Sequence, residues 1–347
     1  MKDLRKETIE KIKAGKKVTL AELKPVLRPE GVQNGVMKVD PDKCTSCGLC
    51  TRNCPFRCWE MGEDEIPRLR SGYACFSCFN CMVACPVDAI SIVQTYKVEG
   101  GYWDTGFPPV KMPLEPRDAE GNPAKWNEVE LAILNRRSVR NFKETPVPEP
   151  LIRRVLEAGR FAPSAGNNQP WKFTVVTDKK FIAELEKVAY NVSKELYELY
   201  INDDTVMKAF AMVGGTLPAP VFDYRVMIGG FRAVVAKDLS IFFDAPCVIF
   251  IGGHENLNGP ELQIGICGQN MNLATQSLGL GCCWSNFGRD VRLAPEIRAK
   301  LGFVDGWNIM TAMCLGYPKF KQEGMVPRMF RPITWFRPGS SKPQIEE

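Results

Sequence analysis

Cys44-Thr45-Ser46-Cys47-Gly48-Leu49-Cys50-Thr51-Arg52-Asn53-Cys54-Pro55 returns 31 residues later as Cys75-Phe76-Ser77-Cys78-Phe79-Asn80-Cys81-Met82-Val83-Ala84-Cys85-Pro86. Both copies read C-x2-C-x2-C-x3-C-P, and together they hold eight of the fourteen cysteines. Three thiolates three residues apart wrap three corners of a small iron–sulfur cube, while the fourth cysteine reaches across to the other cube. The spacing therefore predicts one [4Fe–4S] cluster on Cys44, Cys47, Cys50 and Cys85, and a second on Cys75, Cys78, Cys81 and Cys54. Two zinc sites are the plainer alternative, but zinc takes cysteines in pairs and has no use for the third or for the proline. No secretory-type leader opens the sequence, so disulfides are not expected and a cytoplasmic protein is.

On these residues the stretch resembles a bacterial-type two-cluster ferredoxin over residues 37–96. Met37-Lys38-Val39 and Ile90-Ser91-Ile92-Val93 are expected as its terminal strands, and Cys58 as a buried thiol outside the pattern.

Three more segments surround this module. Residues 1–36 form a basic arm in which Thr19 to Glu22 reads as a capping box opening a helix that Pro25 interrupts. Residues 97–125, rich in Gly and Pro, read as a linker. Residues 126–347 alternate helical and strand-like stretches, giving an α+β layer domain with a mixed sheet flanked by helices. Helices are expected over 126–135, 150–160, 181–190 and 261–278, the last apolar on most sides. Strands are expected over 173–176, 247–251 and 308–315, the last closing the sheet.

The formal charge of +5 would suit nucleic acid, but it counts the cysteines as neutral. Two clusters at about −2 each and a flavin phosphate at about −2 bring the loaded chain near −1, so no nucleic-acid partner is expected. No apolar run reaches the roughly 18 residues of a membrane span.

Three stretches and a tail in the C-terminal domain resemble the FMN-dependent nitroreductase family. The first motif is Arg136-Arg137-Ser138-Val139-Arg140-Asn141-Phe142; the resemblance implies that Arg136, Arg137, Ser138 and Arg140 hold the FMN phosphate, ribityl chain and pyrimidine edge. Guanidinium forks suit a phosphate dianion, and a cation beside the flavin N1–C2=O edge stabilises the reduced ring. The second motif is Ala162-Pro163-Ser164-Ala165-Gly166-Asn167-Asn168-Gln169-Pro170-Trp171. It implies that Pro163 and Ser164 lie against the isoalloxazine and that Asn167 and Gln169 position the loop in a dimer. In Leu278 to Asn286 the family covers one flavin face, which implicates Trp284, Ser285 and Asn286, with Ser285 the expected side-chain donor to flavin N5. Arg328 and Arg331 fall where the family places a last phosphate contact.

A ferredoxin joined to an FMN domain implies one-electron carriers feeding a two-electron flavin. The expected activity is an FMN- and [4Fe–4S]-dependent oxidoreductase that reduces a nitroaromatic, quinone or activated double bond by hydride transfer from N5. NAD(P)H or a ferredoxin is the donor, and a homodimer the assembly. The alternatives are an electron-transfer subunit of a larger complex and a flavin-dependent reductive dehalogenase. Residues 191–244 exceed the family minimum and are expected to shape the substrate pocket. The sole histidine, His254, is expected to be a loop residue rather than a base.

Overall fold

The computed structural model describes residues 7–346 apart from 9, 13, 28–30, 99–109, 112, 202–229, 258, 321, 323 and 330. More than half of the 191–244 segment lies outside the described residues.

In the arm, the helix Leu20–Leu27 runs through Pro25 rather than stopping there. Its capping box is formed: Thr19 N donates to Glu22 Oε2 at 2.8 Å, and Glu22 N donates to Thr19 Oγ1 at 3.3 Å.

The cysteine module is framed by two antiparallel strands, β1 (Val36–Val39) and β2 (Ile90–Gln94), with Val39 opposite Ile90. Between them lie two short helices, α1 (Leu49–Asn53) and α2 (Asn80–Ala84), one per cysteine copy. The duplication is visible residue by residue in the backbone. Left-handed φ recurs 31 residues apart at Ser46 and Ser77 (53° and 55°), at Gly48 and Phe79 (65° and 61°), and at Arg57 and Asp88 (49° each). A non-glycine residue in this region costs roughly 1–2 kcal/mol. The twist turns amides toward sulfur: Cys58 N donates to Cys54 Sγ at 3.3 Å, and its counterpart Ala89 N donates to Cys85 Sγ at 3.2 Å.

The expected linker carries structure of its own. Lys97–Val98 pairs with Val32–Gln33, and Val110–Lys111 pairs antiparallel with Arg328–Met329. This second pairing ties the linker to the segment holding the last predicted phosphate contact.

The C-terminal domain opens with α3 (Glu128–Asn135), capped by a complete Asn127/Glu130 box, and α4 (Glu149–Arg160). Then come β3 (Trp171–Val176), the long α5 (Lys179–Ile201), β4 (Cys247–His254), α6 (Pro260–Ser277), β5 (Gly281–Ser285) and β6 (Trp307–Gly316). The sheet order is β5-β6-β4-β3, with every pair antiparallel. Its parallel component is the single bridge of Ser138 to Cys282 at the β5 edge. The last strand does not close the sheet; it lies inside it.

Residues 247–251 of β4 are completely buried because both faces of the sheet are covered. Val248 and Phe250 point into a core shared with Leu185 and Ala189 of α5, while Cys247, Ile249 and Ile251 point into one shared with α4 and α6. Alternation with period two assigns each residue its layer.

The helix α6 is not apolar all round. Its buried stripe is Gln263, Ile264, Cys267, Gly268, Met271, Asn272 and Thr275, whereas Leu262 is 72% exposed. Of its small residues, Gly265 has nothing within 4 Å of a notional Cβ, while at Gly268 a Cβ would lie 2.0 Å from Trp284 Cη2. Gly268 therefore admits an indole rather than a helix. Gly268→Ala is expected to destabilise the domain by about 1–3 kcal/mol, as overpacked cores do, lowering the midpoint of a thermal melt followed by tryptophan fluorescence.

Candidate functional site

Arg136 is the C-cap of α3, which places Arg137 and Ser138 at the point where the chain turns onto the sheet edge. Val139 N donates to Cys282 O at 2.9 Å. The segment approaches β5 closely because Gly281 has no side chain: a Cβ there would lie 2.6 Å from Val139 Cγ2. Arg137 is buried, 7% exposed. Its Nη1 donates to Arg136 O at 2.8 Å, while Nε and Nη2 have no partner among the described residues. Burial first, then Arg328 and Arg136, pull its pKa down to about 10, so it stays cationic at neutral pH. Burial and Arg136 lower Arg328 in the same direction. Three guanidinium groups thus converge with no salt bridge to a carboxylate among the described residues, and buried donors on Arg137 remain to be satisfied. An anion with several acceptor oxygens is the group that fits.

Arg140, two residues on, lies with its guanidinium 5.9 Å from the Phe243 ring centroid. Cys283 stands beside it: burial raises that thiol, while Arg140 and Ser138 act in the opposite direction. Alternation along β5 puts Cys283 on this face and Trp284 on the other, where its ring covers Gly268. The resemblance implicated Trp284 for the site; strand periodicity is the signal that places Cys283, rather than Trp284, on the face of Ser138 and Arg140.

The 162–171 loop is built around left-handed residues, with Gly166, Asn167 and Gln169 at φ 56°, 55° and 45°. Ser164 Oγ accepts from Gln169 N at 3.0 Å, and Ala165 N donates to Gln263 Oε1 at 3.1 Å. Pro163, Asn167 and Gln169 are exposed and Ser164 half-buried. The loop does not meet the arginine cradle within one chain. Its exit, Trp171, is in register with Gly253 and through it with Asn308, whereas Ser138 bridges Cys282, opposite Leu315. Seven residues along β6 and four strand spacings separate them, about 23 Å along the sheet and about 19 Å across it.

The cysteines lie in two groups. A cavity is walled by Cys44, Cys47, Cys50 and Cys85, with Val39, Pro67 and Ile90. Cys54 sits instead with the second copy, raising the pKa of Cys75, Cys78 and Cys81, after burial in each case. Cys58 is buried, as expected, with its Sγ 3.3 Å from Ala74 O.

The cysteine module is docked on the C-terminal domain. Arg57 Nε donates to Asp238 O at 3.1 Å, Asn141 Nδ2 to Arg52 O at 3.2 Å, and Gln322 Nε2 to Asn53 Oδ1 at 2.7 Å. At this junction a cavity of about 240 Å³ has Cys54, Pro55 and Arg57 on one wall and Arg140, Asn141 and Phe243 on the other. Arg140 also acts electrostatically on Cys78.

Sequence models match at both ends of the chain: the 4Fe-4S binding domain over residues 37–60 and the nitroreductase family over residues 133–317, just over half of the chain. The chain belongs to the nitroreductase family. It carries a ferredoxin-type 4Fe-4S domain ahead of the nitroreductase domain, and its fold is α+β. Among curated relatives, it is 27% identical over 201 residues to the nitrobenzene nitroreductase of Ectopseudomonas oleovorans, covering 53% of this chain and 84% of that one. It is 46% identical over 205 residues to the 5,6-dimethylbenzimidazole synthase of Rhodospirillum rubrum, covering 58% and 85%. A match of 44% identity over 63 residues to an NADH dehydrogenase of Thermus thermophilus covers 18% of this chain and only 31% of that protein. Among solved structures, a nitroreductase with bound FMN from Desulfitobacterium hafniense has a TM-score of 0.44 at 24% identity, covering 59% and 96%.

One expectation for the nitroreductase domain is corrected. Ser285 Oγ donates its proton to Ile241 O at 2.7 Å and accepts from Gly288 N at 3.1 Å, capping the short helix Asn286–Arg289, and it is 3% exposed. A hydroxyl carries one proton, and this one is used within the protein, so Ser285 is not a side-chain donor to a flavin. Asn286 is exposed at the start of that helix, and Arg331 is exposed beyond Arg328. His254 ends β4 with Nε2 3.1 Å from Asp305 O and Nδ1 accepting from Asn256 N at 3.2 Å, which leaves neither nitrogen for catalysis.

Among the described residues no helix is long and apolar enough to cross a membrane.

Proposed function

We propose that this nitroreductase-family oxidoreductase holds FMN and two [4Fe–4S] clusters, passes electrons between them and reduces a small organic acceptor of the nitroaromatic, quinone or activated double bond class. The observation that carries the reading is the junction cavity. There the cluster cysteine Cys54 and the flavin-edge candidate Arg140 face the same space.

Each group of residues has a task in this reading. Arg136, Arg137 and Arg328 bind the FMN phosphate, with the unsatisfied Arg137 donors supplying charge-assisted hydrogen bonds. Ser138 and Arg140 orient the ribityl chain and the pyrimidine edge, where the Arg140 cation stabilises negative charge. Cys44, Cys47, Cys50 and Cys85 hold the cluster nearer solvent, since Cys47 is exposed; Cys75, Cys78, Cys81 and Cys54 hold the one nearer Arg140. When bound, FMN supplies hydride transfer from N5 and the link between one-electron and two-electron steps.

A second copy of the chain completes the site. The Pro163–Ser164–Asn167–Gln169 loop lies too far from its own cradle to reach it. Leu262 on α6 and Val129 and Ile133 on α3, at 72%, 65% and 50% exposure, supply an apolar face for a homodimer.

Anaerobic stopped-flow mixing with NADH, NADPH or reduced ferredoxin, with flavin and cluster absorbance read separately, tests the function. Reduction of both chromophores by one of these donors, followed by reoxidation with a nitroaromatic or quinone, is expected. Flavin turnover with clusters that never change redox state would sink the reading. The 46% identity to the Rhodospirillum synthase favours a second reading, production of 5,6-dimethylbenzimidazole, which mass spectrometry of the reaction mixture decides.

A further inference from the structure

Trp59 opens the strand Trp59–Met61 and is 5% exposed. Its indole Nε1 is buried and has no hydrogen-bond partner among the described residues. The indole N–H is a donor only, and leaving such a group unsatisfied costs about 1–3 kcal/mol. The side chain packs in a core with Cys50, Cys54, Cys58, Cys75 and Cys81, so its surroundings are rich in sulfur.

The internal repeat says which cluster Trp59 faces. Position 59 is the counterpart, 31 residues earlier, of position 90. Ile90 lines the cavity walled by Cys44, Cys47, Cys50 and Cys85; by the same pseudo-symmetry Trp59 lines the site of Cys75, Cys78, Cys81 and Cys54. Backbone donors are matched between the halves at Cys58 and Ala89. The side chains at 59 and 90 are not matched: one offers an N–H and the other is isoleucine.

Resting on the two-cluster reading above, we infer that the Trp59 indole N–H donates to the sulfur envelope of the cluster held by Cys75, Cys78, Cys81 and Cys54, raising its reduction potential above that of its twin. Reduction adds one electron and no proton to the cluster, so its sulfurs become more negative and the hydrogen bond strengthens in the reduced state. Hydrogen bonds to sulfur and solvent exposure are the levers that tune such centres. Burial alone opposes charge on the inner cluster; the Trp59 donor offsets it. An electron entering near exposed Cys47 then settles at the cluster beside Arg140. Trp59 is a positioning residue for charge and takes no part in bond making.

An EPR-monitored redox titration of the holoprotein and its Trp59→Phe variant tests this. The variant is expected to lower one midpoint only, by about tenfold in the reduced-to-oxidised ratio, about 59 mV for one electron. Two intact clusters with both midpoints unchanged would overturn the assignment while leaving the two-cluster reading standing. Iron and sulfide analysis showing fewer than two clusters in the unsubstituted protein would overturn both. Should the variant load poorly, pulsed EPR of unsubstituted protein carrying 15N-indole tryptophan decides. A 15N coupling to one reduced cluster is expected, and its absence from both refutes the inference.

Discussion

Arg137→Met is expected to weaken FMN binding by about 100-fold or more while leaving the flavin-free protein at least as stable. The two effects have opposite signs because Arg137 is an expense to the fold. It is 7% exposed, two of its three guanidinium nitrogens lack partners among the described residues, and its pKa is pulled down to about 10 by burial, then by Arg328 and Arg136. A cation whose folded pKa lies below its unfolded value is destabilised by folding wherever it is charged. That cost is fully present at neutral pH and fades only as pH rises past the folded value toward the unfolded one. Removing the charge relieves it, and methionine fills much of the same volume. A phosphate, by contrast, uses the idle donors. Two charge-assisted hydrogen bonds at about 1.5–3 kcal/mol each correspond to at least two orders of magnitude in affinity. Fluorescence titration of FMN into flavin-free protein measures the first effect and thermal melting the second. Unchanged affinity would show that the cradle serves something other than the flavin phosphate. Arg153→Met is the matched control: Arg153 is an exposed arginine paired with Glu149 at 2.5 Å, and its loss should change neither quantity appreciably.

Whatever depended on short-range spacing was legible in the sequence. The grouping of Cys44, Cys47 and Cys50 with Cys85 around one cavity follows the interval at which the cysteines repeat, because a loop of closely spaced thiols is a local object. A compact β-branched run in β4 and period 3.6 in α4 located strands and helices to within a few residues. Long-range facts were not legible. The place of β6 inside the sheet depends on pairings with residues 27 to 68 positions earlier in the chain. The fate of Ser285 depended on Ile241, 44 residues away, and on the helix it caps, neither of which a motif can display. Glycine in an apolar helix usually marks close helix packing, but at Gly268 only the fold shows that Trp284 occupies the space. The docking of the two modules through Arg57, Asn141 and Gln322 left no pattern in the sequence, since interface polar residues follow no period. That docking makes the resemblance mechanistic, because it brings Cys54 and Arg140 to one cavity.

Cys85→Ala should remove the cluster of the first cysteine copy and spare that of the second, although Cys85 belongs to the second copy in sequence. The cavity walled by Cys44, Cys47 and Cys50 takes its fourth sulfur from Cys85, while Cys54 lies among Cys75, Cys78 and Cys81. Iron is expected to fall from about eight to about four per chain, as for the loss of one cubane. The decisive comparison is spectroscopic. If the ligand sets cross, the EPR spectrum left in Cys85→Ala matches that left in Cys47→Ala. If each copy holds its own cluster, it matches Cys78→Ala instead. The outcome also bears on electron flow, because the two cysteine sets are not equivalent in their surroundings. Cys47 is exposed whereas Cys54, Cys75 and Cys81 are buried, and only the second set borders the cavity that holds Arg140. A Cys85→Ala protein that keeps the inner cluster should therefore still exchange electrons between that cluster and the flavin after dithionite reduction, yet accept them poorly from a protein donor. Cys78→Ala should show the reverse pairing of defects, keeping a reducible outer cluster that no longer communicates with the flavin.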